Sequence, residues 1–268
     1  MKTIQRISLV LASVTLLGTT FISRANVVVA SFTVSISNDS GMYGYAYTIT
    51  LADAGESLQH LLLDAERDGA AGSPSRWNGS AYNWRASFGW YSHGSHYVRP
   101  FADNRASRND ADLLPGQTLS GFSVTSAFPP RIQTAYARGF GPWPTFHEDA
   151  PRDPAVPVCW SNNFCDAVKL QTLSPKNPGS LIGLTQLLAT DLDTAFLTLH
   201  WITSKPAYSG LKRINEQLQD ALQKNNRAAS KRLSESLADE AQRLFPKSIN
   251  QSAKDLVVLD AMYVNARL

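Results

Sequence analysis

His93 and His96 flank Gly94-Ser95, and two imidazoles with two residues between them can reach one metal ion, with Asp103 as a candidate third ligand. No second pair or fixed acidic partner completes the three or four ligands a metal site needs, so the competing reading is two histidines on a loop. His147-Glu148-Asp149 lies among prolines, where exposure to solvent is the default. Cys159 and Cys165 are the only two cysteines, with five residues between them. A zinc or redox pair would require C-x-x-C spacing or further ligands nearby. In an oxidising compartment the two are expected to form a disulfide, and closing so short a loop stabilises by roughly 2–3 kcal/mol.

Other chemistries are poorly served. Nucleophilic hydrolysis of the G-x-S-x-G kind lacks its elbow, and no glycine-rich loop stands ready to cradle phosphate ahead of a helix. A glycosidase needs two carboxylates across a cleft. The acids here gather in a loop (Asp103, Asp110, Asp112) or along a helix exterior (Glu235, Asp239, Glu240). No catalytic residue and no cofactor is assigned, and the reading favours a non-enzyme. Aromatic side chains supply the remaining chemistry. Trp77, Tyr82, Trp84, Phe88, Trp90, Tyr91 and Tyr97 could stack on sugar rings if exposed, or fill a core if buried. Tyr82, Trp84, Phe88 and Trp90 are all even-numbered and are expected in the core. Trp77 and Tyr91 are then the ligand-binding candidates.

Compartment follows from the first residues. Lys2 and Arg6 precede an uncharged run from Ile7 to Ile22, and small residues follow at Ser23-Arg24-Ala25 and Val28-Val29-Ala30. This is the layout of a secretory signal peptide over 1–25, cleaved after Ala25 or Ala30. Ser8, Ser13, Thr15, Gly18, Thr19 and Thr20 weaken the run as a permanent span. Residues 1–25 hold three of the 25 basic residues and no acid, so cleavage leaves 22 basic residues against 22 acidic ones. A nucleic-acid partner would call for a basic excess, and none remains. The basic cluster Lys224, Arg227, Lys231 and Arg232 is likewise offset by Glu235, Asp239 and Glu240.

The elements that must position these residues change character along the chain. Phe32, Val34 and Ile36 alternate with polar residues, Asn38-Asp39-Ser40-Gly41 supplies a turn, and Tyr43, Tyr45, Tyr47, Ile49 and Leu51 alternate again. Phe122 and Val124 extend the pattern, and Gln133 to Phe140 forms a last strand. Residues 31–140 are therefore expected to be an antiparallel β-sandwich. Prolines punctuate 141–179, which is expected to be a strap and linker. From 180 to 268 the period becomes helical. Four apolar stripes start near Leu181, Tyr208, Ala229 and Ser252, with Ser180 as the first N-cap. The fold class is thus α+β, a sandwich followed by a small helical bundle.

Two stretches carry resemblances. Leu114-Pro115-Gly116-Gln117-Thr118-Leu119-Ser120-Gly121-Phe122-Ser123, with Thr125-Ser126 and Tyr136-Ala137-Arg138-Gly139-Phe140, resembles a motif of uncharacterised exported bacterial β-sandwich proteins. Within it Pro115-Gly116 sets a turn, and Gly121 is placed for a bulge. Trp201-Ile202, Leu211 to Leu222, Asn225-Asn226 and Ala253 to Leu268 resemble the FIMAH-type helical region that closes many extracellular bacterial proteins. The chain departs from that pattern at His200, where a glycine is usual. The resemblances imply architecture and bring no catalytic residues. What results is an exported, non-catalytic binding or surface-organisation module, periplasmic or extracellular. Its expected partner is a cell-envelope protein or polysaccharide. The alternatives are a carbohydrate-binding module and a secreted metal-dependent hydrolase built on His93 and His96.

Overall fold

The computed structural model describes residues 30–39, 41–53, 58–66, 70–72, 79–84, 87–92, 113–139 and 168–268. Among them run nine strands: β1 (Ala30–Asp39), β2 (Met42–Leu51), β3 (Leu58–Asp64), β4 (Ala71–Gly72), β5 (Gly79–Trp84), β6 (Ser87–Ser92), β7 (Thr118–Ser126), β8 (Pro130–Gly139) and β9 (Val168–Pro175). Four helices follow: α1 (Leu181–Leu197), α2 (Lys205–Gln223), α3 (Arg227–Leu244) and α4 (Gln251–Asn265). The fold is α+β. The strands make two sheets, β1-β2-β7-β4 and β5-β6-β3-β8-β9, antiparallel throughout.

The first hairpin shows how local chemistry sets register. Asp39 pairs with Met42, leaving a two-residue turn. Gly41 occupies it at φ +88°, a left-handed conformation that glycine adopts without steric cost, and its N–H donates to Asn38 Oδ1 at 3.3 Å. Tyr43, Tyr45, Tyr47, Ile49 and Leu51 then point inward as the alternation requires. On β7 the register slips between Tyr47–Phe122 and Thr48–Ser120, so Gly121 is the extra residue of a bulge at φ +110°. Without that slip one half of β7 would turn its apolar set outward. Instead Leu119, Phe122 and Val124 all reach the core. Burial of a side chain such as Phe122 contributes about 1.5–3 kcal/mol.

Two expectations need correction. Residues 168–175, inside the stretch read as strap and linker, form β9 and pair with Pro130–Ala137 of β8. The prolines hid it, yet Pro130 and Pro175 stand opposite each other at the end of the ladder, where a missing N–H breaks no internal bond. The second correction concerns the even-numbered aromatics. Pairing of β5 with β6 sets Tyr82 opposite Gly89 and Trp84 opposite Ser87, while Phe88 and Trp90 stand opposite Asn83 and Ala81. Paired numbers sum to an odd value, so evenness does not carry across the turn. The two pairs of aromatics occupy alternate register sets.

Each helix opens on a side-chain cap. Ser180 Oγ accepts from Gly183 N at 2.9 Å, Ser204 from Ala207, Asn226 from Ala229 and Asn250 from Ala253. Such caps are worth about 1 kcal/mol each. His200, where the helical resemblance has glycine, sits at φ +54° just past the end of α1. A left-handed backbone there favours glycine on steric grounds. Successive helices pack as neighbours, and α1 and α4 lie against β8. One continuous core joins sheets and helices, from Phe32 and Leu61 through Leu173 to Leu192 and Leu256. No helix among the described residues is long and apolar enough to cross a membrane.

Candidate functional site

Trp77, His93, His96, Cys159 and Cys165 lie outside the described residues, as do Asp103 and His147-Glu148-Asp149. Tyr91 belongs to β6, opposite His60 of β3 and Ser80 of β5. Among the ligand and metal candidates read from the sequence, Tyr91 is the one within the described residues. No group of three His, Cys, Asp or Glu able to hold a metal ion occurs among the described residues. Two other assemblies stand out, one on the surface and one buried.

The surface assembly is the outer face of β1, β2 and β7. Because Tyr43, Tyr45, Tyr47 and Ile49 face inward, the residues between them face out. Cross-strand register aligns these into four rows: Ser31–Thr50–Thr118, Thr33–Thr48–Ser120, Ser35–Ala46–Ser123 and Ser37–Gly44–Thr125. Ten of the twelve positions are Ser or Thr, and none is charged or aromatic. Strand geometry spaces the hydroxyls about 4.8 Å apart across the sheet and about 6.8 Å along it. Their orientations are constrained. Thr48 Oγ1 lies 2.8 Å from Ser120 Oγ, and Thr50 Oγ1 lies 2.9 Å from Thr118 Oγ1. Thr33 Oγ1 donates to the carbonyl of Thr48 at 3.4 Å, and Ser37 Oγ to that of Gly44 at 3.4 Å. A hydroxyl offers one proton and two lone pairs, so each mutual pair uses one proton and leaves the second free for a ligand. Gly44 and Gly72 keep the surface low. A Cβ at either would come within 2.8 Å of Ser37 Oγ or 2.5 Å of Ser123 Oγ.

The buried assembly lies where the helices meet the sheets. Arg131 of β8 is 1% exposed, and its Nη1 donates to Asp260 Oδ2 of α4 at 2.5 Å. Asp191 of α1 is the second acid, 3.6 Å from the same nitrogen, and it accepts from the Ile132 N–H at 3.5 Å. Nearby, the Tyr43 hydroxyl donates to the Leu259 carbonyl at 3.4 Å. Removal from water raises both carboxyls despite the opposing pull of Arg131, Asp260 to about 7 and Asp191 to about 6. Burial, with the Asp260 charge beside it, also pushes the Tyr43 hydroxyl well above its ordinary range. Arg131 Nε and Nη2 and Asp260 Oδ1 have no hydrogen-bond partner among the described residues. This cluster joins elements far apart in sequence.

Sequence reasoning passed over both assemblies. Thr33, Ser35, Thr48 and Thr50 were legible as the polar half of an alternation, but their alignment with β7 depends on the Gly121 bulge. Asp260 carried a signal: it lies four residues after Leu256 and three before Tyr263, on the buried stripe of α4. Asp191 similarly sits three residues after Leu188 and four before Ala195 on the stripe of α1.

No family model matches the chain. No curated protein matches it either. Among solved structures, the solution structure of the chitin-binding domain of Chi18aC from Streptomyces coelicolor is similar at 15% identity. It covers 42% of this chain and 84% of that one at a TM-score of 0.21. A superposition at that score carries no argument about fold or ligand.

Proposed function

We propose that the mature protein is an exported, non-catalytic binding module whose hydroxyl-lined sheet face lies against a flat, uncharged, polyhydroxylated partner, a polysaccharide of the cell envelope or its surroundings. In this reading the two sheets are the halves of a β-sandwich, and the helical region is a FIMAH-like accessory packed against one end. Residues 1–25 are the signal that delivers it across the membrane, and Cys159 and Cys165 pair once outside. The observation that supports it is the three-strand, four-row array of Ser and Thr between Ser31 and Thr125. Such a face meets sugar hydroxyls with donors and acceptors of matched strength. It also buries no ion, so it incurs no charge-desolvation cost. Short side chains already held by cross-strand bonds lose little conformational freedom when a ligand settles on them.

The test is retention of the mature protein on insoluble polysaccharides, chitin, cellulose and peptidoglycan among them, followed by the same assay on variants. Thr48→Lys, at the middle of the face, is expected to weaken retention at least tenfold, about 1.4 kcal/mol. Lys224→Ala, on the exposed end of α2, is expected to change nothing. Equal retention of Thr48→Lys and the native chain, or no retention on any of the polymers, rejects the assignment.

A further inference from the structure

We propose that the junction between the helices and the sheets is a proton-controlled latch. Closing it requires a proton to be held among Arg131, Asp191 and Asp260, so the helices grip the sheets in mild acid and loosen as the pH rises toward neutral.

The charge count comes first. One guanidinium meets two carboxylates in a site where Arg131 and Asp260 are each 1% exposed and Asp191 is 8% exposed. Fully ionised, the cluster carries one uncompensated negative charge in a largely buried region, which is costly. Holding one proton balances it. The groups facing the cluster from the packed elements do not supply the missing cation. Tyr43 and Tyr45 of β2 are neutral phenols, held so by burial. Tyr263 lies along α4, and Arg267 past its end stacks over the Tyr263 ring at 3.5 Å. Lys176 acts on Asp191 only from a distance, as the smallest of its influences. No ion pair links Lys176 or Arg267 to either acid among the described residues.

Position makes the cluster a latch. It ties β8 to α4 through Asp260 and β8 to α1 through Asp191. The sign follows from linkage. In the unfolded chain both carboxyls titrate near about 3.9, and in the closed junction they titrate at about 6 and about 7. Between these limits the closed form binds more protons than the open one. Closure is therefore favoured in acid and weakens as pH rises, levelling off once the cluster has lost its proton.

The Ile132 amide reports directly on the junction, because it donates to Asp191. Its hydrogen-exchange protection in the mature chain, corrected for intrinsic base catalysis, is to be followed from about pH 5 to about pH 8. Protection at Ile132 is expected to fall about tenfold per pH unit where one proton is released, while amides in the β2–β7 ladder do not follow in step. Asp191→Asn leaves one cation facing one carboxylate, and the pH dependence of its Ile132 profile is expected to be shallower than that of the native chain, since burial alone still raises Asp260. Asp260→Asn should make it shallower too, and if that variant does not fold, Asp191→Asn decides alone. A native profile without pH dependence overturns the latch, as does an undiminished slope in Asp191→Asn. Loss of β2–β7 protection in parallel with Ile132 overturns it as well, since the whole fold would then be responding.

Discussion

Replacing Arg131 by Met keeps most of the side-chain volume and removes the cation that pairs with both acids at the junction. Asp260 then loses its 2.5 Å partner and Asp191 its 3.6 Å neighbour, both inside the protein. Breaking a buried pair from one side costs about 3–5 kcal/mol, because the remaining charge has neither water nor partner. Protonation offers relief. Both carboxyls already bind protons more readily than exposed acids, at about 6 and about 7, and without Arg131 both values rise further. Near pH 5 the variant holds two neutral carboxyls, and the loss shrinks to a hydrogen bond and some packing, about 1–2 kcal/mol. Near pH 8 the full penalty applies until protons are taken up. Thermal unfolding of the native chain and Arg131→Met at both pH values measures the difference. At about 2–4 °C per kcal/mol for a chain of this size, the drop should be about 6–20 °C at the higher pH and a few degrees at the lower. Equal losses at the two pH values, or a loss below about 1 kcal/mol at the higher one, would refute the picture of a buried charge held by one partner.

Three further outcomes are expected. His200→Gly should raise stability by about 0.5–1 kcal/mol, read from the urea midpoint, because His200 occupies φ +54° at a surface position. Asn250→Ala removes the side-chain acceptor for the Ala253 N–H at 2.9 Å; it should lower the same midpoint by about 1 kcal/mol, with far less loss in Asn250→Ser. Thiol titration of denatured protein recovered from an oxidising compartment should find no free sulfhydryl at Cys159 or Cys165, and two reactive thiols would remove the proposed bridge.

The legible parts of this molecule were those governed by local period. Tyr43 to Leu51 announced a half-buried strand through strict alternation, Gly121 announced a bulge, and Ser180 with Leu184, Leu188 and Leu192 announced a capped helix. Features set by the meeting of distant segments were not legible. β9 lay hidden because Pro175 suggested a linker, and only the ladder with β8 shows that proline closing a strand. The even numbering of Tyr82, Trp84, Phe88 and Trp90 does not relate the two strands, because a hairpin's register is fixed by its turn and not by parity along the chain. Arg131, Asp191 and Asp260 are 60 or more residues apart in sequence, and each taken alone is an ordinary charged residue in an amphipathic segment. The hydroxyl face needed three registers at once. Thr33, Thr48 and Ser120 become neighbours only after β1, β2 and β7 have paired. Whether the two parts pack was equally beyond the sequence, since Tyr43–Leu259 and Arg131–Asp260 are single contacts between long-separated segments.

The surface face and the buried junction make opposite demands on charge, and that contrast gives the most direct measurement. Binding isotherms of the mature protein on the polysaccharide that retains it best should be compared at about 0.01 M and about 1 M salt, where the screening length falls from about 30 Å to about 3 Å. A partner held by neutral hydroxyls on Thr33, Thr48, Thr50 and Ser120 gives the same dissociation constant at both. An affinity that collapses at high salt would place the contact on charged residues elsewhere and contradict the assignment of the β1-β2-β7 face.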